Sequence, residues 1–481
     1  MTLDERQCYE VVKARDARFD GVFFVGVSTT GVYCRPVCTV RTPGRDRCSY
    51  FDSPALAEAA GFRPCLRCRP ELSPGTAKVD ATLRLANAAV ARIEAGALTD
   101  GGVEGLAAEL GVSSRQLHRV VETAYGVSPL ALARTHRLLL AKQLLTDTSL
   151  KVVDVAFASG FNSVRQFNRQ FSQAYRLNPL ALRKGRRHPT SSGQVLLKLG
   201  FRPPLAWSAL IHFLVGRAGT GTECVQGERY FRTVRIGKHR GYIAAAPLSH
   251  DLLGVEVSPS LLQVLPELRV RLRRLFDLGA NPAVIDAFLK QHRPLGPLLR
   301  RTVGLRVPGA LHGFELALRA VLGQQITVKA ATTIYGRFVT TFGSSISTPL
   351  AELNGIAPDA SDIANATQQQ LIDRGLTSKR AESVRALARA AADGAVQLEP
   401  PADFEATRAT LLELPGIGPW TAEYIAMRAL GDPDAFPHSD LGLLRAVGID
   451  KPRALLTHAE AWRPWRSYAA LHLWHGLSQG G

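Results

Sequence analysis

Two groups of residues in this chain have types and spacings suited to chemistry. Near the start, Cys34 and Cys38 form C-x3-C, and Cys65 and Cys68 form C-x2-C, while Cys8, Cys48 and Cys224 fall outside the pattern. The double pair suits a four-thiolate zinc site. Zinc keeps a thiol deprotonated and nucleophilic at neutral pH, so such a site can be a structural knob, a redox or metal sensor, or a covalent acceptor. Spacing alone does not choose among these, nor does it say which sulfur would react. Toward the other end, Leu-Leu-Glu-Leu-Pro-Gly416-Ile-Gly418-Pro-Trp420-Thr-Ala is a glycine-containing hairpin leading into a helix. Exposed amides there can hold a phosphate. Tyr424, Asp440 and Trp474 follow. Aromatic faces attract cations. Taken singly, Asp440 reads equally well as a helix-capping aspartate, and each aromatic as core.

Elements that repeat themselves lie between these groups. Arg115-Gln116-Leu-His118-Arg returns as Arg165-Gln166-Phe-Asn168-Arg, and Ser-Pro-Leu-Ala-Leu after Val127 returns as Asn-Pro-Leu-Ala-Leu after Leu177. Each copy reads as an apolar-periodic helix, a glycine turn and a serine-started basic helix, which is helix-turn-helix order. The stretch 183–194 has the composition of an exposed joint. Residues 195–300 mix β-like runs with a helical run from Ser260 to Phe276, and helices dominate from about 308.

The whole chain sets limits on these readings. At 481 residues it exceeds what one core usually covers, so several domains are expected. Lysine and arginine exceed acids by 59 to 41, a formal charge of +18, which favours a polyanionic partner, with nucleic acid ahead of an anionic membrane. No apolar run approaches the roughly 20 residues that a spanning helix needs, and the start lacks an apolar signal core, so a cytoplasmic protein is expected.

Around the first cysteines, Phe24-Val-Gly-Val-Ser-Thr-Thr-Gly-Val-Tyr-Cys34-Arg-Pro-Val-Cys38 and Ala60-Gly-Phe-Arg-Pro-Cys65-Leu-Arg-Cys68 closely resemble the Ada-type methylphosphotriester sensor. That resemblance implies Cys34 as the methyl acceptor, with Cys38, Cys65 and Cys68 as the other ligands of one zinc ion. The duplicated segment resembles the AraC-type DNA-binding domain, which implies Arg115, Gln116, His118, Arg165, Gln166 and Asn168 as candidate contacts in successive major grooves. The stretch 305–477 resembles helix-hairpin-helix DNA glycosylases of the AlkA type. It does so through Phe314-Glu-Leu-Ala-Leu-Arg-Ala-Val-Leu-Gly-Gln-Gln-Ile-Thr, the hairpin, Asp440 and Trp462-Arg-Pro-Trp-Arg-Ser-Tyr-Ala-Ala-Leu-His-Leu-Trp474, and the likeness extends back to about 195.

The resemblance implies Asp440 as catalytic carboxylate, Trp420, Tyr424 and Trp474 around a flipped base, and Gly416, Gly418 and Gln325 at the DNA. Where one member of the family has an apolar wedge this chain has the polar Gln325, which leaves the duplex-plugging residue open. Where bifunctional relatives place a Schiff-base lysine it has Trp420, so base excision without strand cleavage is expected. No cysteine follows Cys224, which excludes the C-terminal four-cysteine iron-sulfur cluster of some relatives.

The expected fold is multidomain α+β. It comprises a zinc-bound Ada-type sensor at 1–76, an all-α double helix-turn-helix domain at 77–187, an AlkA-type N-terminal α+β domain at 195–304 and an all-α helix-hairpin-helix glycosylase domain at 305–481. The expected function is an alkylation response that joins methyl transfer from DNA methylphosphotriesters, transcriptional activation and hydrolytic excision of alkylated purines such as 3-methyladenine. Its partners would be alkylated and promoter double-stranded DNA and the transcription machinery, with no membrane and a monomeric chain. The alternative is a regulator whose glycosylase half only binds DNA. A third possibility, an O6-alkylguanine transferase, needs Pro-Cys-His-Arg, and Pro64-Cys-Leu-Arg67 lacks the histidine.

Overall fold

The computed structural model describes residues 4–74, 84–99, 101–183, 195–400 and 403–479. The expected joint at 183–194 lies outside the described residues apart from Arg183. The chain forms two compact units, Met1–Pro203 with Asp251–Val270, and Pro204–His250 with Arg271–Gly481.

In the first unit, β-branched and aromatic residues build a small sheet in the order Cys48–Phe51, Phe24–Val27, Val32–Cys34, Arg63–Pro64. The first two pairings are antiparallel and the last is parallel. Gly26 is required in its strand because a Cβ there would stand 2.7 Å from the Phe51 ring and 3.0 Å from Phe62. These two rings pack with each other over Phe24, Tyr33 and Ala57. The helix Glu5–Ala14 starts at a capping box in which Asp4 and Gln7 bond each other's backbone N–H.

The helical repeat follows as expected. Helices Gly102–Glu109 and Ser114–Tyr125 form one copy, and Val152–Ala158 and Val164–Tyr175 the other. Serine caps the second helix of each copy, Ser113 accepting from the Gln116 N–H and Ser163 from the Gln166 N–H.

The helix Pro129–Asp147 connects the copies and is buried along most of its length, including the polar Thr135, Lys142, Gln143 and Thr146. Those polar groups have partners. The Lys142 Nζ donates to the Cys65 carbonyl at 2.9 Å and to Glu71 Oε2 at 2.7 Å. Arg69 forks onto Asp147 at 2.8 and 2.7 Å, and Thr135 donates to Glu58 at 2.6 Å.

The strand Val195–Gly200 pairs antiparallel with Leu252–Val257. Both strands of this pair fall in the first compact unit. Gln143 donates to the Lys198 carbonyl at 2.6 Å, and a Cβ on Gly200 would lie 1.8 Å from the Leu72 carbonyl oxygen, so only glycine fits that approach.

The second unit opens with an antiparallel meander of Glu223–Gln226, Arg229–Ile236 and His239–Ser249. Helices follow, interrupted among the described residues by the two-residue ladder Ser344–Ser345 with Gly355–Ile356. Their side chains form two apolar clusters. One is centred on Leu318, Phe338, Leu387 and Ile425, the other on Phe436, Leu443, Trp462 and Leu471. Among the described residues no helix is long and apolar enough to cross a membrane.

Candidate functional site

The four cysteines of the two pairs converge. Cys34 ends the strand Val32–Cys34, Cys38 follows one turn later, Cys65 follows the strand Arg63–Pro64, and Cys68 follows a further turn. Their sulfurs all lie within 4.8 Å of one another. A tetrahedral zinc with Zn–S of about 2.3 Å needs sulfurs roughly 3.8 Å apart, so the donor set fits that metal.

The sulfurs hydrogen-bond among themselves, and this divides their acidities. Cys34 chiefly lowers Cys38, to about 7, and also lowers Cys65, whereas Cys38 chiefly raises Cys34, and Cys34 chiefly raises Cys68. Four thiolates this close repel one another unless a cation lies between them. Backbone N–H groups reach three of the sulfurs, Arg35 N to Cys68 at 3.3 Å, Arg67 N to Cys65 at 3.4 Å, and Val40 N to Cys38. The Arg35 side chain, clamped on Asp20, also donates to the Cys68 carbonyl at 3.2 Å and so fixes the loop.

The two serine-capped helices bury Leu117 and Val121 in one copy and Phe167, Phe171 and Tyr175 in the other. The opposite faces carry the expected residues. Arg115, Gln116, Arg165 and Asn168 are exposed, and His118 and Gln166 are half-buried. Among the described residues no ion pair is recorded to Arg115 or Arg165, which leaves both guanidinium groups available to phosphate or base.

In the second unit, the hairpin between helices Phe404–Glu413 and Pro419–Ile425 places Trp420 and Tyr424 one helical turn apart. Their rings stack with centroids 5.1 Å apart and planes 8° apart. Trp474, from the terminal helix Arg466–Gln479, faces Tyr424 at 6.3 Å and 59°. Asp440 caps the helix Leu441–Val447, its Oδ1 accepting from the Leu443 N–H at 3.0 Å. The same carboxyl group accepts from Trp474 Nε1 on Oδ1 and from Trp420 Nε1 on Oδ2, each at 2.9 Å. The capping role read from sequence is therefore real and coexists with a place in the cavity wall.

The loop that delivers Asp440 is held along its length. Ser467 Oγ donates to the Asp432 and Ala435 carbonyls at 2.8 Å, Arg466 pairs with Asp434, and the Phe436 N–H donates to Glu423 at 2.9 Å. Trp420, Tyr424, Asp440 and Trp474 line one cavity of about 590 Å³, a size suited to a small ligand.

Gly416 sits at φ +75°, and a Cβ on it would meet Ser383 Oγ at 2.1 Å, so the hairpin requires glycine there. A side chain at Gly418 would meet nothing, which leaves that turn open to solvent. Gln325 is exposed at φ +56° between the helices Gly313–Leu322 and Val328–Phe342. Its neighbour Gln324, which sequence reasoning missed, ties the hairpin down by donating to the Gly416 carbonyl at 2.9 Å and to Thr421 Oγ1 at 3.0 Å.

Arginines at the cavity were also missed. Arg232 and Arg319 are neutralised by Glu223 and Glu315. Arg428 is buried, donates to Tyr424 Oη at 2.7 Å and to the Pro308 and Gly309 carbonyls, and lies 5.6 Å from the Tyr424 ring centroid. Burial works against the Tyr424 phenolate, but Arg428, Arg217 and Arg319 outweigh it and hold the phenol below its usual range. Arg428 lies four residues after Tyr424 on the same helical face, and its other partners, the Pro308 and Gly309 carbonyls, are remote in sequence, so nothing local marked it as part of a site.

A helical unit with a glycine hairpin, an aromatic cavity and an aspartate at its wall defines a helix-hairpin-helix base-excision glycosylase, here carried with a zinc-cysteine domain and a helix-turn-helix domain. Four family descriptions match in order. They are the metal binding domain of Ada at 7–71, a helix-turn-helix domain at 106–185, the AlkA N-terminal domain at 196–312 and the HhH-GPD superfamily base excision DNA repair protein at 318–465. The chain is 39% identical over 98% of its length, and 97% of the relative's, to the "Probable bifunctional transcriptional activator/DNA repair enzyme AlkA" of Mycobacterium tuberculosis. It belongs to that family of bifunctional transcriptional activator/DNA repair enzymes.

It is also 34% identical to DNA-3-methyladenine glycosylase 2 of Escherichia coli, over 58% of this chain and 96% of that one. To the bifunctional transcriptional activator/DNA repair enzyme Ada of the same organism it is 35% identical over 27% of this chain and 35% of that one. Among solved structures, the 3-methyladenine DNA-glycosylase of Archaeoglobus fulgidus shares the fold with a TM-score of 0.51 at 21% identity, covering 59% of this chain and all of that one.

Proposed function

We propose that this chain records alkylation of the DNA backbone at Cys34 and excises alkylated bases at Asp440, with its helix-turn-helix pair carrying the record to promoters. The observation that carries the excision half is the placement of Asp440 with both indole N–H groups on its carboxyl group, at the wall of an aromatic cavity. A purine alkylated at N3 or N7 is cationic and weakly bonded to its sugar, and it suits the faces of Trp420, Tyr424 and Trp474. As the N-glycosidic bond breaks, its electron pair leaves with the base. Asp440 stabilises the oxocarbenium-like sugar and orients the water that adds at C1′. No lysine stands at the hairpin helix where Trp420 lies, so water and not an amine adds at C1′, and the abasic sugar stays in an intact strand.

At the other site Cys34, Cys38, Cys65 and Cys68 would hold the zinc ion, which when bound keeps the sulfurs as thiolates at neutral pH. Cys34 Sγ attacks the methyl carbon of a methylphosphotriester, the S–C bond forms, the C–O bond breaks, and the DNA regains an ordinary phosphodiester anion. Cys34 is favoured because backbone N–H groups, which quiet a thiolate, reach the other three sulfurs. Methylation removes one negative charge from a four-thiolate centre, so DNA phosphates are repelled less and promoter binding strengthens.

Arg115, Gln116, His118, Arg165, Gln166 and Asn168 read the promoter, and Gly416, Gly418 and Gln325 meet the damaged duplex. The chain works as a cytoplasmic monomer and recruits the transcription machinery. Four domains at 1–76, 77–187, 195–304 and 305–481 divide this work.

The test is to incubate zinc-loaded protein with duplex DNA carrying radiolabelled methyl groups and follow the label into free bases and into the peptide that contains Cys34. Label in both fractions is expected. Label in neither would reduce the chain to a DNA-binding protein.

A further inference from the structure

A buried contact joins the zinc-cysteine loop to a distant part of the chain. Arg202 lies 182 residues after Asp20, and its Nη2 donates to the Asp20 backbone carbonyl at 2.9 Å. Asp20 belongs to the stretch matched to the metal binding domain of Ada, and Arg202 to the stretch matched to the AlkA N-terminal domain. Both fall in the first compact unit.

From Asp20 the contacts run on to a thiolate ligand. The Asp20 carboxylate pairs with the Arg35 guanidinium, its Oδ1 accepting from Nε at 2.9 Å. Arg35 then reaches Cys68 twice, through Nη1 to its carbonyl at 3.2 Å and through the backbone N–H to Sγ at 3.3 Å. Asp20, Arg35 and Arg202 are 5%, 7% and 2% exposed, so water cannot take over a bond that is lost. The strand Val195–Gly200, which leads into Arg202, is anchored on the same body. Gln143 holds the Lys198 carbonyl, Lys198 pairs with Asp147 at 3.3 Å, and Gly200 lies against Leu72, in the turn that follows Cys68. Past the strand, the Phe201 N–H donates to the Asp251 carbonyl at 3.0 Å, which ties its end to the start of the paired strand Leu252–Val257.

We propose that Arg202 is a positioning residue of the four-thiolate centre, supplied by the glycosylase part of the chain, and that it acts through Asp20 and Arg35 to set Cys68 for zinc. The proposal rests on the reading of the four cysteines as zinc ligands. Hydrogen bonds behind a metal ligand fix its orientation, and losing one typically weakens metal binding by about ten- to a hundredfold. The centre that accepts the methyl group is thus complete only with the glycosylase strand docked beside it.

Zinc affinity of the full-length protein, measured by competition with a chromophoric chelator at neutral pH, reads this without use of either activity. Arg202→Met keeps an apolar stem and removes the donor, and it should weaken zinc binding roughly tenfold. Arg202→Lys keeps a donor for the Asp20 carbonyl. It should stay within about threefold of wild type and guards against misreading a folding defect. Arg35→Met should weaken binding as well, and adding Arg202→Met to it should cost less than about twofold more, because the one residue acts through the other. Unchanged affinity in Arg202→Met, equal losses in Arg202→Met and Arg202→Lys, or losses that simply multiply in the double variant would each overturn the proposal. A wild-type chain that binds no zinc would instead overturn the four-cysteine reading, and the proposal with it.

Discussion

The indole N–H of Trp420 lies 2.9 Å from Asp440 Oδ2, and Trp474 closes the arrangement from the other side at the same distance on Oδ1. Carboxyl group and aromatic walls are thus one hydrogen-bonded body. The groups that would hold a cationic base and the group that would stabilise the sugar cannot shift independently. Preorganisation of this kind gives an electrostatic contact its effect in the transition state without rearrangement during the reaction.

Asp440→Asn should therefore cost more than a charge. The amide offers one acceptor atom where three N–H donors converge, and its NH2 would face an indole N–H. Base release from methylated DNA should fall by roughly a hundredfold or more, while equilibrium binding of undamaged duplex, followed by fluorescence anisotropy, should stay close to wild type. Retained excision would return Asp440 to a capping role alone.

Cys34→Ser should separate the two activities in one chain. Label from methylated backbone phosphate should no longer enter the protein, as read by the mass of the peptide that contains residue 34. Free alkylated base should appear at the wild-type rate. Wild-type protein should carry one zinc per chain by elemental analysis, and Cys65→Ala should lower that content, because each remaining sulfur then lacks its fourth partner.

Much of this was legible in the sequence because the signals are local. The C-x3-C and C-x2-C pairs, the hairpin glycines and the serine caps each lie within a few residues of what they organise. Asp440 was singled out by its neighbours, but its two indole hydrogen bonds were not, since Trp420 and Trp474 lie 20 and 34 residues away. Other features were not legible because their partners are remote in sequence. Lys142 reaches the Cys65 carbonyl across 77 residues and Glu71 across 71, Tyr468 donates to Asp277 at 2.7 Å, and Gln324 holds the hairpin at Gly416. The hydrogen bond from Gln143 to the Lys198 carbonyl and the close approach of Gly200 to Leu72 were not legible for the same reason.

The Lys142 contacts join the zinc-cysteine loop to the helix between the two DNA-reading copies. Lys142 is 1% exposed and Glu71 is fully buried at its side chain, so Lys142→Met leaves the buried carboxylate only Arg69, which is shared with Asp147. Breaking a buried pair from one side typically destabilises by about 3 kcal/mol or more. Chemical denaturation of Lys142→Met should show a loss of that order, and the double variant with Glu71→Gln should recover at least half of it. No loss in the single variant would mean that the pair is solvated in solution.

Asp286 gives stability a pH dependence of known sign. Burial raises its carboxyl group to about 6, against the Gly304 N–H at 3.2 Å and Arg306, which both pull it down. The unfolded chain gives up this proton near 3.8, so between there and about 6 the folded state binds more protons. Stability from this group is therefore present at low pH, declines as pH rises through that window, and stays at its lower value above it. Asp286→Asn has no proton to lose and keeps an oxygen for the Gly304 N–H. It should melt with wild type near pH 4 and be more stable at pH 7.5, by on the order of 1 kcal/mol for this partly solvated group. A variant less stable than wild type at pH 7.5 would show that attraction to Arg306 outweighs the burial of the charge.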